Sequence, residues 1–185
     1  MKLLLHVCCA PCLSGANLAL AGEGFDLTGY FYNPNIYPEE EFARRAEALR
    51  RYDGITGSRS IIIDEYDAGI LSEFAGNNEE RCRDCFIERL GSAAKYAKRN
   101  GFDAFSTTLL ISPYQKHELI RSVGEEGSER YGVDFYYRDM RPFYRESVNV
   151  SRAMGLYRQK YCGCNFSKPA RGGQGDQKWA SCRRF

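Results

Sequence analysis

The sequence predicts an α/β protein with one parallel β-sheet of five strands in the order 3-2-1-4-5. Short apolar runs alternate along the chain with longer amphipathic stretches, which is the pattern of repeated strand–helix units. The first apolar run is continuous rather than alternating, as in a strand that is buried on both faces. The 185 residues show no internal repeat and no second apolar core, so we expect a single domain over residues 1–185.

The first strand and the first helix enclose a group of cysteines. The run Leu3-Leu4-Leu5-His6-Val7 predicts the strand, and the segment Cys8-Cys9-Ala10-Pro11-Cys12 follows it directly. Ser14 is of a type that favours helix N-caps, so we expect a helix over 15–21. Two glycines within the next three residues end that helix, because glycine readily adopts the left-handed conformation.

The next segment predicts a second strand, a second helix and a third strand. "DLTGYFYNPN" is typical of a strand with a Pro-Asn stop. In "PEEEFARRAEALRRY", Pro38 suits a helix start, the three acids that follow suit its first turn, and the arginines lie toward its end. "SRSIIID" predicts a β-branched strand with its core at 60–63.

Further along, "DAGILSEFAG" predicts a short helix, and "EERCRDCFIERLGSAAKYAKRNG" predicts a long one closed by Asn100-Gly101. "FDAFSTTLL" predicts a fourth strand that leads into Ser106-Thr107-Thr108. These elements continue the alternation that a parallel sheet requires.

The last predicted helix is "SPYQKHELIRSVGEEGSERYG", with Ser112 as its cap and Pro113 in its first turn. "VDFYY" predicts the fifth strand. From about residue 159 the glycine-rich sequence has no periodicity, so we expect residues 159–185 to form a loop-like basic lid or tail.

Polar and thiol side chains follow two strands that the predicted order makes neighbours. Cys8 and Cys9 close the first strand, and Ser106 to Thr108 close the fourth. In an open parallel sheet, ligands bind beyond the carboxyl ends of the strands at the point where the strand order reverses. We therefore expect the functional site there. A phosphate-binding turn is a weaker alternative, since neither strand end carries a Walker or GxGxxG pattern.

Charge is distributed unevenly along the chain. Residues 141–185 hold ten Lys or Arg and two acids, whereas residues 1–140 hold 16 basic and 22 acidic residues. A basic segment on an acidic body is typical of a protein that binds a polyanion. The alternative is a tail that only increases solubility.

The apolar sequence at the N-terminus is too short for a secretory signal. His6 interrupts it after three leucines, whereas a signal needs an apolar region of about 7–15 residues. No other segment reaches the roughly 18 apolar residues of a membrane span. We therefore expect a cytoplasmic protein without a membrane partner, in which clustered cysteines bind metal or act in catalysis rather than form a disulfide framework.

The eight cysteines fall into three groups and one single residue. The groups are Cys8, Cys9 and Cys12; Cys82 and Cys85; and Cys162 and Cys164; Cys182 stands alone. Cys82 and Cys85 form a C-x-x-C pair at the start of a predicted helix, so both thiolates share one face near the positive end of the helix dipole. This arrangement suits an iron–sulfur cluster, with a structural zinc and a pair of small buried apolar side chains as the alternatives.

The sequence "YCGC" at 161–164 raises a separate question. A disulfide between Cys162 and Cys164 would close a small strained ring, and strained disulfides are the readily reduced, catalytic kind. Gly163 provides the backbone freedom that such a ring needs. The two thiolates are equally suited to a second metal ion, and the residues leave both alternatives open.

Five motifs, in order, are CCAPC, RCxxC, STTLLxSPY, FYRES and GLYRQxYCGC. With them the sequence closely resembles the epoxyqueuosine reductase QueH family, and the match spans residues 6–167. The resemblance implies an enzyme of the last step of queuosine biosynthesis, an oxidoreductase that removes the epoxide oxygen of epoxyqueuosine at the tRNA wobble position without cobalamin. It also implies an adenine-nucleotide hydrolase-like (HUP-like) fold, in which residues 1–185 form a single catalytic domain.

The same resemblance assigns roles to the cysteines. It implies a 4Fe-4S cluster on Cys8, Cys9, Cys82 and Cys85, and a redox-active pair at Cys162 and Cys164. Cys12 is then a third catalytic thiol or a ligand of a second, mononuclear iron, and its role stays open. Cys182 lies outside the motifs, and we expect it to be non-catalytic.

Several other side chains are candidates for contacts with tRNA or for proton donation. The residues expected to bind the substrate are Tyr114, Arg152, Arg158 and Tyr161. The acid candidates are His6 and His117, with Tyr114 and Tyr161 as further groups of suitable type. The electron donor cannot be assigned from the residues. A zinc-stabilised tRNA-binding module without redox activity is the alternative function.

Overall fold

The computed structural model describes residues 1–67, 69–70 and 78–167. It is an α/β fold whose five strands form one parallel sheet in the order β3-β2-β1-β4-β5, which confirms the predicted class and strand order. The strands are β1 (Lys2–His6), β2 (Asp26–Phe31), β3 (Ser60–Ile62), β4 (Ala104–Thr107) and β5 (Asp134–Phe135). The α-helices of the described residues are α1 (Ala10–Leu20), α2 (Glu39–Thr56), α3 (Asn78–Arg99), α4 (His117–Tyr131) and α5 (Tyr144–Ala153). No helix in these ranges is long and apolar enough to cross a membrane.

Strand β1 is the centre of the fold. Leu3, Leu4 and Leu5 are fully buried, which explains why this run is apolar at every position instead of alternating. The strand order reverses between β1 and β4. Because the crossovers of a parallel sheet are right-handed, the helices before and after this reversal cover opposite faces of the sheet. The reversal therefore opens a crevice at the carboxyl ends of β1 and β4.

Helix α1 begins earlier than the sequence predicts, at Ala10 instead of after Ser14. Cys9 is the extended residue that precedes the helix, and Pro11 lies in the first turn, where its missing N–H is not needed. The Ser14 hydroxyl donates to the Pro11 carbonyl, 2.8 Å away, inside the helix. The prediction was wrong because a serine can bond to the backbone either as a cap or within a helix. As a result, Cys12 lies on α1.

The prediction that Ser112 caps a helix was also wrong, since α4 begins at His117. The Ser112 hydroxyl accepts a hydrogen bond from the Tyr114 amide at 3.3 Å, and the Ser112 carbonyl accepts one from the Gln115 amide at 3.2 Å. Serine forms this turn with the same bond by which it caps helices, so the sequence does not distinguish the two. Strand β5 is likewise shorter than "VDFYY". The helix predicted for "DAGILSEFAG" and the tail from residue 168 onward lie largely or wholly outside the described residues.

Close packing of α1 fixes the position of α5. A Cβ atom at Gly15 would lie 2.6 Å from the Cβ atom of Ser147 on α5 and would also overlap the Ile111 side chain. Only glycine permits this approach of the two helices. The chain that leaves α5 therefore starts from a fixed point and returns toward α2, where it carries residues 156–164 over the strand ends.

We expect Gly15→Ala to lower the free energy of unfolding by about 1–3 kcal/mol, because the added methyl group overpacks the contact between α1 and α5. Gly54→Ala is the matched control, since Gly54 also lies inside a helix but is exposed and has no atom within 4 Å of the added Cβ. That variant should gain about 0.5–1 kcal/mol. Urea unfolding of both variants measures the difference, and equal effects would contradict the packing argument.

Candidate thiol and metal centre

The carboxyl ends of β1 and β4 are joined by side-chain hydrogen bonds. His6 pairs with Thr107 in the strand register, and its Nδ1 lies 2.9 Å from the Thr107 hydroxyl. The next threonine, Thr108, accepts a hydrogen bond from the Cys8 amide at 3.1 Å, and its hydroxyl donates to Cys8 Sγ at 3.4 Å. Polar residues at the end of β4 thus fix the backbone and the thiol of Cys8.

Cys8, Cys9 and Cys12 form a compact sulfur group at this edge. Their Sγ atoms all lie within 4.8 Å of one another, close enough to share one metal ion or cluster. Cys8 and Cys9 are buried, whereas Cys12 is partly exposed. The group thus brings together two residues expected to be cluster ligands and the cysteine whose role the sequence left open.

The pKa values of these three thiols are shifted in opposite directions. Hydrogen bonds from Cys12 and Cys9 hold the pKa of Cys8 well below its usual range. Burial raises the pKa of Cys9, and the hydrogen bond with Cys8 raises the pKa of Cys12. One thiolate stabilised by two thiols is the expected state of three sulfurs in a dry site. A metal ion would replace these protons, because thiolate is the ligand form of cysteine.

Gln159 contacts the same group from the chain that follows α5. Its Nε2 donates to Cys9 Sγ at 2.8 Å, while its Oε1 is buried without a hydrogen-bond partner among the described residues. Gln159 was not predicted as a site residue, although it belongs to the motif GLYRQxYCGC. No periodicity or spacing marks a lone glutamine, so only its place in the motif could have indicated it.

Cys162 and Cys164 form a second sulfur pair. Both are free thiols, and their Sγ atoms are 3.4 Å apart. The Ser167 hydroxyl lies 2.8 Å from Cys162 Sγ and 3.2 Å from Cys164 Sγ. The hydrogen bond from Cys164 lowers the pKa of Cys162 to about 5, and the same bond raises the pKa of Cys164. One thiolate beside one thiol suits a redox pair and a metal site alike.

A buried ion pair on α2 fixes the backbone of this sulfur pair. Arg45 is 1% exposed, and its Nε donates to the Glu41 carboxylate at 2.7 Å. Its terminal nitrogens donate to the carbonyls of Tyr161 and Cys162 at 3.0 and 3.1 Å. Gly163 has a φ of +122°, and a side chain there would press on Arg45 and its surroundings. These contacts hold the backbone of residues 161–163 in place.

Cys85 lies beside this second pair. The Asn35 amide nitrogen donates to Cys85 Sγ at 2.9 Å. Burial raises the pKa of Cys85, and the charge of Cys162 raises it further, whereas the charge of Arg89 opposes both effects. Cys82 precedes Cys85 by one turn of α3 and is partly exposed. Neither Asn35 nor Arg89 was singled out from the sequence.

The histidines proposed as acids are held in the neutral form. Burial, followed by the charge of Arg89, lowers the pKa of His6 to about 4. Its Nε2 lies 3.3 Å from the Tyr32 carbonyl, which can only accept a hydrogen bond, so that nitrogen carries the proton. Burial and then Arg141 lower the pKa of His117, whose Nε2 lies 3.2 Å from the Ser112 carbonyl. Whether either residue donates a proton in catalysis stays a prediction.

The expected substrate-binding residues occupy different environments. Tyr161 is buried, and its hydroxyl donates to the Tyr37 carbonyl. Tyr114 is 38% exposed and meets the ring of Tyr144 edge-on, with 5.8 Å between the ring centroids. Arg152 is exposed and Arg158 is half-buried. The charge of Cys12 contributes to the raised pKa of Tyr144 after burial and Tyr114, so this unpredicted tyrosine lies near the first sulfur group.

Comparisons with known proteins give a consistent result. The family model for epoxyqueuosine reductase QueH matches residues 3–170. A protein of Dehalococcoides mccartyi named epoxyqueuosine reductase QueH is 40% identical over 174 residues, which cover 94% of this chain and 96% of that protein. Proteins of the same name from Thermotoga maritima and Histophilus somni are each 36% identical over 177 residues. These matches cover 89% and 90% of this chain, and 88% and 72% of the respective relatives.

The low pKa of His6 predicts a pH-dependent stability. The folded protein resists protonation of this imidazole, so its contribution is present above the unfolded pKa of 6.5 and is lost as the pH falls toward 4. We expect the free energy of unfolding to fall by about 2 kcal/mol from this group between pH 7.5 and 5. Urea unfolding of the metal-free protein at both pH values measures the change.

His6→Gln should remove that part of the pH dependence, because the amide keeps polar atoms but does not titrate. His117→Gln is the comparison variant and should retain the contribution of His6. If His6→Gln and the wild-type protein lose stability equally between the two pH values, the buried neutral imidazole is not the cause.

Proposed function

Because the chain belongs to the epoxyqueuosine reductase QueH family, we propose that it reduces epoxyqueuosine to queuosine in tRNA, the last step of queuosine biosynthesis. The observation that best supports this function is the packing of Cys8, Cys9 and Cys12 within 4.8 Å at the end of the central strand. That position is where an open parallel sheet binds its ligands. The site would act in the cytoplasm, where thiols remain reduced.

The proposed reaction needs two electrons and two protons. Conversion of the epoxide to the alkene breaks both C–O bonds, and the oxygen leaves as water once it has accepted two protons. The carbon atoms are reduced by two electrons, so an equal number must be taken from the protein or its cofactor. Thiols that form a disulfide, or a cluster that thiolates hold, are groups that can supply them.

We further propose that Cys8, Cys9, Cys82 and Cys85 hold a 4Fe-4S cluster. The donor set supports this, since the candidate ligands are thiols and three of them are buried or hydrogen-bonded by amides. Such a cluster transfers single electrons at a potential set by its ligands, hydrogen bonds and solvent exposure. Cys12 lies beside Cys8 and Cys9, and we propose that it acts as a catalytic thiol or binds a second, mononuclear iron.

Cys162 and Cys164 could supply the two electrons that the reaction needs. Oxidation of two thiols to one disulfide releases two electrons and two protons, which balances the loss of the epoxide oxygen as water. The 3.4 Å separation of their sulfur atoms and their opposite pKa shifts support this role. An external electron donor must then return the disulfide to the dithiol state. Binding of a second metal by the same pair is the alternative, and neither role requires cobalamin.

The described surface around the centre suits a polyanionic substrate. Arg158 and Lys160 lie on the segment that crosses the site, and Arg152 lies in the last turn of α5 just before it. Tyr114 offers an exposed ring on which a splayed base can stack. The basic residues of the tail beyond residue 167 lie outside the described residues, so their contribution to tRNA binding stays a prediction.

A zinc-stabilised tRNA-binding module is the second candidate function. The names of the relatives do not favour it, because each describes a reductase. Metal analysis separates the two functions, since the reductase requires iron and sulfide whereas the binding module requires zinc alone. The protein would be purified without oxygen and analysed for metals. A protein that contains zinc but no iron, and that does not absorb near 400 nm, would contradict the proposed reductase.

We expect Cys82→Ser and Cys85→Ser each to prevent cluster assembly, because a hydroxyl is a poor replacement for a thiolate at iron. Iron and acid-labile sulfide are measured after reconstitution without oxygen. Cys182→Ser is the control, since this cysteine lies outside the family motifs, and it should retain the wild-type content. Wild-type iron and sulfide in the Cys82 and Cys85 variants would show that the ligands are assigned wrongly.

We expect Cys162→Ala to retain the cluster and to lose turnover of epoxyqueuosine tRNA. The four proposed ligands already satisfy one cluster, so Cys162 is not needed for its assembly. Absorbance near 400 nm reports the cluster, and mass spectrometry of nucleosides from the tRNA reports queuosine. Full activity of this variant would exclude Cys162 from the reaction, and loss of the cluster would instead make it a ligand.

A further inference from the structure

Arg89 on α3 is a buried cation without a carboxylate partner. It is 2% exposed, and among the residues that the structure describes no acidic side chain forms an ion pair with it. Arg45, the other fully buried arginine in the part of the chain that the structure describes, has its charge balanced by Glu41. Removing an unpaired charge from water is strongly unfavourable unless an opposite charge compensates it. The surroundings of Arg89 must therefore supply negative charge of another kind.

Asn35 connects this cation to the thiol centre. Asn35 is 1% exposed, and its Oδ1 accepts a hydrogen bond from Arg89 Nε at 2.8 Å. A guanidinium group can only donate hydrogen bonds, so it fixes which end of the amide faces it. The amide nitrogen must then point the other way, where it donates to Cys85 Sγ at 2.9 Å. Arg89 thus dictates that Cys85 receives an N–H group.

Arg89 reaches the sulfur atom of Cys85 through a single amide group. The distances are 2.8 Å from Arg89 Nε to Asn35 Oδ1 and 2.9 Å from the Asn35 amide nitrogen to Cys85 Sγ. Cys85 and Arg89 also lie four residues apart on α3, so their side chains share one face of that helix. A metal-bound Cys85 is a thiolate, and its negative charge is of the kind that the burial of Arg89 requires.

We propose that Arg89, acting through Asn35, is a positioning residue that stabilises the anionic, metal-bound form of Cys85 and raises the reduction potential of the centre. This inference rests on the proposed function for the identity of the metal group. Reduction adds negative charge to the centre, so a nearby cation and an N–H···S hydrogen bond favour the reduced form. Loss of either group shifts the potential to more negative values.

Three variants separate charge from shape. Arg89→Met removes the charge and keeps much of the side-chain volume, whereas Arg89→Lys keeps the charge without the planar group that orients Asn35. Asn35→Asp has nearly the shape of the wild-type side chain and places a carboxylate beside Cys85. Lys95→Met is the matched control, because it removes one positive charge from an exposed position on the same helix.

Metal affinity is the first measurement, and it does not depend on the cluster. Cobalt(II) is titrated into metal-free full-length protein, and its thiolate absorbance is followed. We expect Arg89→Met and Asn35→Asp to weaken cobalt binding about 10- to 100-fold, as is usual when an outer partner of a metal ligand is lost. Lys95→Met should bind cobalt as the wild-type protein does. The cobalt affinity of Arg89→Lys should lie between that of the wild-type protein and that of Arg89→Met.

The reduction potential is the second measurement, and a purely structural role would leave it unchanged. Reconstituted proteins with equal iron and sulfide content are titrated with reductant while the signal of the reduced cluster is recorded. The potential should become more negative in Arg89→Met and still more negative in Asn35→Asp. Wild-type cobalt affinity and wild-type potential in these two variants would overturn the inference.

The two measurements also separate this inference from the proposed function. Wild-type protein that takes up no iron or sulfide contradicts the proposed cluster, but the cobalt titration then still decides the role of Arg89. If Arg89→Met fails to fold, Asn35→Asp tests the same hydrogen bond with almost no change in volume. Its cobalt affinity then supports the inference if it is weakened and overturns it if it is unchanged.

Discussion

Burial of negative charge is the constraint on which the architecture of this centre depends. Cys8 and Cys9 are buried at the end of the central strand, where Cys8 is favoured as a thiolate, and the buried side chains that the structure describes in this region include two guanidinium groups, Arg45 and Arg89. The two are used differently. The charge of Arg45 is neutralised by Glu41, and its other N–H groups donate hydrogen bonds to the carbonyls of Tyr161 and Cys162. Arg45 therefore fixes the backbone of the loop that carries Cys162 and Cys164. Arg89 keeps its net charge and directs it at sulfur through Asn35.

This division allows the second sulfur pair to be rigid in its backbone and reactive in its side chains. The peptide groups around Gly163 are held from two sides, by Arg45 and by the Tyr37 amide, which donates to the Gly163 carbonyl at 2.7 Å. The thiols of Cys162 and Cys164 contact mainly each other and the Ser167 hydroxyl. The proposed exchange between the dithiol and disulfide states of this pair would benefit from a backbone that is held in place.

Much of this arrangement follows from the sequence, and the rest follows from contacts that no local pattern encodes. Short apolar runs predict the strands, and the rule for the ends of parallel strands predicts that Cys8 lies near Thr108. The start of α1 at Ala10 was missed because an extended Cys9 can end a strand or precede a helix. Asn35 and Gln159 were not predicted, because an isolated amide residue belongs to no recognisable sequence pattern. Each contacts a sulfur atom that is distant in the sequence, Cys85 for Asn35 and Cys9 for Gln159.

Gln159 and Cys9 are in contact although 150 residues separate them in the sequence. During synthesis on the ribosome, this contact therefore forms long after Cys9 has been made. Translation proceeds from the N-terminus at roughly 5–20 residues per second, so the thiols near residue 9 precede Gln159 by roughly 8–30 s. During that interval the nascent chain presents these sulfur atoms without their final cover. The thiols therefore stay accessible to oxidants until the segment around Gln159 folds over them, so the timing of synthesis affects how the proposed metal centre would be assembled.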